Sequence, residues 1–291
     1  RPLAMRFRFL LLLRGALGLV ALPSEATFFS GKRVLIAGAS SGLGEALAHE
    51  LSGRGAALVL GGRRTARLES VAASCAAAHG GAEPSVLPLD VTAGSEALVE
   101  KAAEATAMGG GGVDILCYCA GQGQRTVAAE TSVEAHAALM AVNFEGAVSL
   151  SRALLPAMLE RGSGHLCVVS SVQGFFGQPG RTSYAASKAA MIGYFDGLRA
   201  EVAQRGVGVT VVAPGYIATD HAANAIGGGG SADADAKKGM APEELARQVA
   251  DAVERGQPEL VASQVDGRLA IWLRTLWPAA LFKVMQWKGA K

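Results

Sequence analysis

A buried apolar run that passes straight into a glycine-rich turn, and then into a helix, constrains this chain more than any other stretch. Residues 32–37, K-R-V-L-I-A, have the pattern of a buried strand, and the turn G-A-S-S-G-L-G follows at 38–44. Gly38, Gly42 and Gly44 carry no side chains, so the backbone can lie close to a phosphate group beside the free N–H groups of a helix start. We therefore predict a strand, a phosphate-binding turn and a helix over residues 32–53.

Strand and helix patterns continue to alternate along the chain. Apolar runs at 57–62, 85–91, 113–119 and 207–215 are separated by helical patterns, including a long one over about 132–159. Such alternation implies right-handed strand–helix–strand units, whose strands form a parallel sheet covered by helices on both faces. The sequence predicts an α/β fold with a doubly wound, mostly parallel sheet, in which a ligand binds at the carboxyl ends of the strands.

Composition narrows the class of protein. Of 291 residues, 50% are hydrophobic and 18% are charged, which is enough apolar material for one large core. The net charge of +2 comes from dispersed Lys and Arg, so we expect no nucleic-acid partner. The four cysteines have neither a disulfide framework nor paired metal-ligand spacing, which predicts no metal site and a reducing compartment.

The first 30 residues are predicted to stand apart from the fold. Residues 9–22 are apolar except for Arg14, and this length fits a signal-peptide core or an interfacial anchor better than a bilayer span of about 20 residues. We therefore divide the chain into an N-terminal apolar segment at 1–30, a single folded domain at 31–266 and a C-terminal tail at 267–291.

Three side chains between 171 and 188 form a candidate acid/base cluster. Tyr184 and Lys188 are four residues apart, which places them on one face of a helix, and Ser171 ends the apolar run before that helix. An adjacent ammonium and a cationic nicotinamide ring would favour the phenolate form and lower the tyrosine pKa from its usual value of about 10. A serine hydroxyl can donate to the same carbonyl oxygen, so the cluster suits reversible ketone reduction.

Arg63, at the end of the second predicted strand, indicates the cofactor. That strand end meets the adenosine ribose in a doubly wound fold, where an arginine accepts the 2′-phosphate of NADP and an acid binds the 2′-hydroxyl of NAD. The sequence therefore favours NADP (NADPH), although Arg63 and Arg64 would also suit the cap of a surface turn. Asp90 is expected beside the adenine, and Thr219 beside the nicotinamide carboxamide.

Several side chains are predicted to surround the substrate. Arg125 and Arg181 flank the expected pocket, where one of them would contact an anionic headgroup, and Phe175 and Tyr216 lie in the loops that shape it. The low-complexity stretch at 227–239 is predicted to be part of a substrate lid. Asn143, a polar residue within an apolar helical pattern, is either a satisfied buried amide or a functional residue.

The tail at 267–291 has an interfacial composition. It contains all three tryptophans, Trp272, Trp277 and Trp287, with leucines at helical spacing and several Lys and Arg. Interfacial tryptophans flanked by cations are typical of helices that lie in a membrane surface. The alternative is a helix packed on its own domain or in a dimer interface.

With these motifs identified, residues 31–266 closely resemble the short-chain dehydrogenase/reductase family. The resemblance rests on the glycine turn, Asp90, Asn143, Ser171, Tyr184, Lys188 and the segment P-G-Y-I-A-T at 214–219. It implies a single-domain Rossmann-type sheet of about seven strands, with Tyr184 as general acid/base, Ser171 orienting the carbonyl, Lys188 binding the ribose and Asn143 supporting a proton relay. The implied cofactor contacts are Gly38, Ser40, Ser41, Gly42, Leu43, Gly44, Arg63, Asp90, Val91, Ala120, Tyr184, Lys188, Pro214, Gly215, Ile217 and Thr219.

One motif departs from the family pattern. The family has N-N-A-G after the fourth strand, whereas this chain has Tyr118, Cys119, Ala120 and Gly121. In the family, the second asparagine ties neighbouring strands together, and this chain lacks that side chain.

The combined hypothesis is an NADPH-dependent oxidoreductase that reduces a small-molecule or lipid-like ketone such as acyl-dihydroxyacetone phosphate. The segments S-S-V-Q-G and L-A-I-W-L-R-T-L-W-P resemble a membrane-associated branch of the family. Alternatives are a retinoid or steroid dehydrogenase and a non-catalytic NADP-binding scaffold. The resemblance also implies a homodimer or homotetramer. We expect the protein at the surface of the endoplasmic reticulum or another organelle, with the catalytic domain in a reducing compartment.

Overall fold

Seven strands form one parallel sheet at the centre of the molecule. The computed structural model describes residues 28–108, 110–219, 224–227 and 239–289. The strand order is β3-β2-β1-β4-β5-β6-β7, and every neighbouring pair is parallel, which confirms the predicted doubly wound fold. The strands are β1 (Arg33–Ala37), β2 (Ala57–Gly62), β3 (Ser85–Pro88), β4 (Ile115–Tyr118), β5 (Gly164–Val169), β6 (Val207–Pro214) and β7 (Glu259–Ala262). The order reverses between β1 and β4, so a crevice opens at the carboxyl ends of these two strands.

Helices cover both faces of the sheet. They are α1 (Gly42–Gly53), α2 (Thr65–His79), α3 (Ser95–Met108), α4 (Val133–Met140), α5 (Gly146–Arg161), α6 (Thr182–Val202), α7 (Pro242–Glu254), α8 (Val265–Leu276) and α9 (Pro278–Gly289). One apolar core joins the sheet to α1, α2 and α7, and a second joins its other face to α3, α5 and α6. Strands β1 to β6 supply side chains to both cores, which is why their sequences are almost continuously apolar.

The N-terminal boundary of the fold lies earlier than the sequence suggested. Phe29, which we placed in the segment 1–30, is buried in the first core, and the Arg54 guanidinium lies 5.7 Å from its ring centroid. The ring anchors the chain just before β1, so the folded domain includes at least Phe29. The predicted anchor at residues 9–22 lies outside the described residues, as does the predicted lid over 228–238.

The helix predicted over 132–159 contains a wider turn. A π-helical turn at Ala141–Glu145 joins α4 to α5 and carries Asn143 into the interior. Among the described residues, the helical stretch Val133–Arg161 is long and apolar enough to cross a membrane. Its inner face, with Leu150, Leu154 and Met158, packs in the second core, so this helix is part of the folded domain.

The tail forms two helices rather than one. Helix α8 ends at Leu276 and α9 begins at Pro278, whose ring fixes a helix-compatible φ and which lacks the N–H that a continuous helix needs. Ala270 and Leu281 are buried against Val172 and Phe176 of the domain. The three tryptophans lie on the other side and are 61–65% exposed. The tail therefore packs on the domain with one face and leaves a second apolar face in solvent.

Candidate active site

A cleft of about 1480 Å³ opens at the carboxyl ends of the strands and gathers most of the predicted site. It is lined by all of the residues that the sequence assigned to the cofactor: Gly38, Ser40, Ser41, Gly42, Leu43, Gly44, Arg63, Asp90, Val91, Ala120, Tyr184, Lys188, Pro214, Gly215, Ile217 and Thr219. Ser171, Arg125, Arg181 and Tyr216 also line it, whereas Phe175 does not; its neighbour Phe176 does. The topology thus brings together segments that are far apart in the sequence.

The glycine turn is shaped for close approach by a ligand. Gly38 has a φ of +91°, and a Cβ there would lie 2.6 Å from the Ala120 nitrogen. A Cβ on Gly44 would overlap the Gly38 carbonyl oxygen, so only glycine allows this packing of β1 against α1. Ser41 precedes α1 without a side-chain cap, and the first N–H groups of the helix face the cleft. This cradle fits the pyrophosphate of a dinucleotide.

Two arginines, rather than one, lie where the 2′-phosphate was predicted. Arg64 donates hydrogen bonds to Ser40 Oγ at 2.9 Å and to Ser41 Oγ at 2.6 Å. Arg63 faces Asp90, whose pKa is held below its usual range mainly by hydrogen bonds from Thr92, with a smaller contribution from the Arg63 charge. From the sequence, Arg63 alone was predicted to bind this phosphate, although Arg64 is the next residue.

Ser171 and Tyr184 meet at the centre of the cleft. Ser171 follows β5, and its hydroxyl accepts a hydrogen bond of 3.2 Å from the Gln173 backbone N–H. The Ser171 hydroxyl lies beside the Tyr184 phenol, near enough for hydrogen bonding to lower the pKa of the phenol. Burial raises the pKa of Tyr184, while this hydrogen bond and the charge of Arg181 act in the opposite direction.

Lys188 does not lower the tyrosine pKa in the way that the sequence analysis expected. Its Nζ donates a hydrogen bond of 2.8 Å to the Val169 carbonyl and lies 5.9 Å from the centroid of the Tyr184 ring. Burial lowers the pKa of Lys188 to about 8. The sequence predicted that the pKa of Tyr184 is lowered. The groups of the protein itself raise it, because burial of the phenol outweighs the neighbouring charges.

Asn143 lies behind the cleft wall and is completely buried. Its Oδ1 accepts from the Gln122 N–H at 2.8 Å, and its Nδ2 donates to the Gln122 carbonyl and to Ser187 Oγ, each at 3.0 Å. Ser187 Oγ in turn donates to the Tyr184 carbonyl at 2.7 Å. Asn143 is thus a satisfied buried amide, and it links the segment after β4 to the helix that carries Tyr184.

The part of the cleft where the sequence predicted the substrate combines cations with an apolar wall. The Arg181 guanidinium lies 5.9 Å from the Tyr216 ring centroid, and Arg125 lines the same region. Helices α8 and α9 supply the apolar wall through Leu269, Leu273, Leu281, Val284 and Met285. From the sequence, the tail was expected to lie in a membrane surface or to pack on its own domain or in a dimer interface, and contact with the cleft was not predicted.

Comparison with known proteins decides the family. The sequence model of the short chain dehydrogenase family matches residues 32–227, which include the glycine turn, Ser171, Tyr184 and Lys188. The chain belongs to the short-chain dehydrogenase/reductase family. It is accordingly an oxidoreductase that depends on a nicotinamide cofactor.

Curated members of the family match almost the whole chain. A dehydrogenase/reductase SDR family protein 7-like from Drosophila melanogaster is 42% identical over 267 residues, covering 90% of this chain and 81% of that protein. Dehydrogenase/reductase SDR family member 7B from Danio rerio is 39% identical, covering 89% and 86%. The mouse member 7B is 34% identical, covering 99% and 93%. The resemblance to one branch of the family is therefore confirmed.

Solved structures of short-chain dehydrogenases have the same fold. A short-chain dehydrogenase from Streptomyces avermitilis superposes with a TM-score of 0.71 at 28% identity, covering 90% of this chain and 98% of its own. A metagenomic short-chain oxidoreductase, solved in complex with NADP, gives a TM-score of 0.67 at 28% identity, covering 81% and 98%.

Proposed function

We propose that this oxidoreductase reduces the ketone of a lipid-like substrate with NADPH, and that Tyr184 donates the proton. The observation that carries the proposal is that Ser171 and Tyr184 line one cleft together with the glycine turn and Lys188. Two hydroxyls beside a dinucleotide cradle are the arrangement that carbonyl reduction requires.

The cofactor residues follow from the fit of the cradle. The turn at 38–44 would hold the pyrophosphate, and Arg63 and Arg64 would hold a 2′-phosphate, since both are cations at the ribose end of the cleft. The structural neighbour with bound NADP supports this assignment. When bound, the nicotinamide supplies the hydride for the carbonyl carbon.

The protein's own residues would manage the proton. Tyr184 gives its hydroxyl proton to the carbonyl oxygen, and Ser171 donates a second hydrogen bond to that oxygen. Because burial raises the pKa of Tyr184, the phenol is protonated at neutral pH and ready to act as an acid. The resulting phenolate regains a proton from solvent, and the charge of Arg181, which acts to lower the pKa of Tyr184, stabilises it in the interval. We assign Asn143 to the support of this relay because its hydrogen bonds join Gln122 to the Tyr184 helix.

The shape of the cleft supports a substrate with an apolar chain and a charged head. Its volume exceeds the roughly 300–1,000 Å³ of a typical single-ligand pocket, so space remains beside a dinucleotide. Arg125 and Arg181 would bind an anionic headgroup, with Tyr216 beside them, while α8 and α9 would contact an acyl chain. Acyl-dihydroxyacetone phosphate combines a ketone, a phosphate and an acyl chain in this way.

The exposed face of the tail supports work at a membrane surface. Trp272, Trp277 and Trp287 are 61–65% exposed, and Arg274 and Lys288 lie among them. Residues 267–291 would thus associate with anionic lipid. The domain that precedes them would perform catalysis, and the N-terminal apolar segment would be an anchor. We place this surface on the endoplasmic reticulum or another organelle, with the buried free thiols kept in a reducing compartment, and we expect a homo-oligomer.

A ketone panel tests the proposed reaction. NADPH oxidation would be followed with long-chain ketones that are phosphorylated or neutral, with steroid and retinoid carbonyls, and with a short soluble ketone. We expect turnover with NADPH on the long-chain phosphorylated ketone, and its loss in Tyr184→Phe with NADPH binding retained. Tyr194→Phe on the same helix is the matched control. Wild-type turnover in Tyr184→Phe would overturn the mechanism, and turnover confined to steroids or retinoids would overturn the substrate class.

A further inference from the structure

The helix that carries Tyr184 and Lys188 begins without a cap of its own. Helix α6 starts at Thr182, and the residue before it, Arg181, makes no side-chain capping hydrogen bond. The first N–H groups of any helix lack partners within that helix, so they need acceptors from elsewhere. Tyr184 lies in this first turn, and its position therefore depends on what supplies the missing acceptor.

Gln124, from the loop after β4, supplies that acceptor. Its Oε1 accepts a hydrogen bond of 2.9 Å from the Ser183 N–H and one of 3.1 Å from the Tyr184 N–H. The side chain is completely buried. Gln124 thus caps the catalytic helix from 59 residues away, and one of its two contacts is with Tyr184 itself.

The other end of the Gln124 amide is fixed as well. Its Nε2 donates to Thr131 Oγ1 at 2.8 Å and to the Thr126 carbonyl at 3.2 Å. Two backbone N–H groups face the oxygen and the Thr126 carbonyl faces the nitrogen, so the reversed orientation of the amide would break these three contacts. A fully bonded buried amide of this kind resists displacement.

The backbone around Gln124 joins the catalytic helix to the loop after β6. The Ile226 N–H donates to the Gly123 carbonyl at 2.9 Å, and the Arg125 N–H donates to the Ile226 carbonyl at 2.8 Å. Two cations lie at the substrate end of the cleft. Arg125 follows Gln124 in the sequence, and Arg181 directly precedes the first residue of α6. Gln124 therefore lies where the substrate loops meet the proton donor.

We propose that Gln124 is a positioning residue, which sets the place of Tyr184 relative to the substrate arginines by capping α6. The proposal rests on the proposed role of Tyr184 as proton donor. Displacement of a reacting group by about 1 Å costs on the order of 10²-fold in rate, and loss of the cap frees the first turn to move by such a distance. Most of the predicted cofactor contacts, in the glycine turn and at Arg63 and Arg64, lie outside α6, so cofactor affinity is expected to change little.

Two variants of the full-length protein test the proposal. Gln124→Met preserves volume and removes all four hydrogen bonds; we expect kcat to fall by about tenfold or more, with the dissociation constant for NADPH unchanged within about twofold. Thr131→Val removes one anchor of the amide and leaves Oε1 in place, so a smaller loss of about twofold to fivefold is expected. The double variant should match Gln124→Met, because both changes act through one amide.

Thr210→Val is the control, since it removes buried hydrogen bonds with His165 and the Gln257 carbonyl, remote from the cleft. It should lower the melting temperature and leave kcat unchanged. Wild-type kcat in folded Gln124→Met would overturn the proposal. So would a loss of kcat in Thr210→Val that is as large, relative to its loss of melting temperature, as the loss in Gln124→Met. Should Gln124→Met not fold, wild-type kcat in Thr131→Val overturns it.

Tyr184→Phe separates the two hypotheses. If that variant keeps wild-type turnover, the proposed chemistry fails whatever Gln124 does. If it is inactive while Gln124→Met keeps wild-type kcat, only the positioning role fails.

Discussion

Tyr184 is subject to opposing effects on its acidity. Burial raises its pKa, and the Ser171 hydrogen bond is the largest contribution that lowers it. A general acid must be protonated, so the rate of reduction should fall as pH rises through the pKa of this phenol.

Ser171→Ala should therefore change both the rate and its pH dependence. Loss of one donor to the reacting oxygen is expected to lower kcat by about 10²-fold. Loss of the hydrogen bond to Tyr184 should also raise the phenol pKa, so the alkaline limb of the kcat profile moves to higher pH. Measurement of kcat at pH values that extend above 10, where the raised pKa of Tyr184 places the limb, checks this, and an unshifted limb with normal turnover would contradict it.

The paired arginines predict separable effects on cofactor binding. Arg63→Ala should weaken NADPH by about tenfold to a hundredfold and leave NADH nearly unchanged, because only NADPH has a 2′-phosphate. Arg64→Ala should weaken both cofactors, since Arg64 also holds Ser40 and Ser41 of the turn. Fluorescence titration with each cofactor measures the dissociation constants. Equal weakening of both cofactors by Arg63→Ala would make that arginine structural.

His165 predicts a loss of stability in mild acid. Burial lowers its pKa from 6.5 to about 4. As pH falls from 6.5 to 4, His165 therefore binds a proton in the unfolded state but not in the folded state. Its contribution to stability is present above pH 6.5 and is lost as pH falls towards 4, by about 2 kcal/mol between pH 7.5 and 5. Urea unfolding at both pH values should show this loss in the wild type and a smaller one in His165→Asn.

At the level of secondary structure, local pattern predicted most elements, and tertiary contacts explain the exceptions. The strands could be predicted because burial on both faces makes them continuously apolar. The π-helical turn could not be predicted, since it depends on distant contacts. The hydroxyl of Tyr118, a position where the family has an asparagine, donates to the Val142 carbonyl at 2.6 Å. Gly146 leaves room for that hydroxyl, because a Cβ there would lie 2.6 Å from it.

Two glycine-to-alanine changes test this account of the helix. Alanine normally stabilises a helix interior by about 1 kcal/mol relative to glycine, and Gly193→Ala in α6 should do so because nothing lies within 4 Å of the new Cβ. Gly146→Ala should instead destabilise the protein by about 1–3 kcal/mol, because its Cβ would overlap the Tyr118 hydroxyl and the Val91 carbonyl. Chemical denaturation measures both, and stabilisation by Gly146→Ala would contradict the packing argument.

For the molecule as a whole, the residues of the site were easier to predict than their connections. The glycine turn, Ser171, Tyr184 and Lys188 have characteristic spacing in the sequence, so they could be placed in one cleft. The hydrogen bonds of Gln124 and Asn143 join positions tens of residues apart, and no local pattern indicates them. The direction of the Tyr184 pKa was missed for the same reason, since it depends on burial in the assembled fold.

The tail predicts membrane binding without the N-terminal segment. A chain that begins at Phe28 should still sediment with anionic liposomes, and replacement of Trp272, Trp277 and Trp287 by Ser should release it. Activity on a long-chain ketone should then fall, while activity on a short soluble ketone persists. Unfolding of the triple variant, or loss of both activities together, would contradict the membrane assignment.

Helices α8 and α9 face the cleft with one side and solvent with the other, so the surface proposed to touch lipid is also a wall of the substrate cavity. For a membrane-bound reductase of this shape, the effective substrate concentration is the mole fraction of ketone in the lipid, and the volume of surrounding water does not enter it. A product that leaves through the same opening re-enters the bilayer, where it diffuses in two dimensions to the next enzyme that uses it.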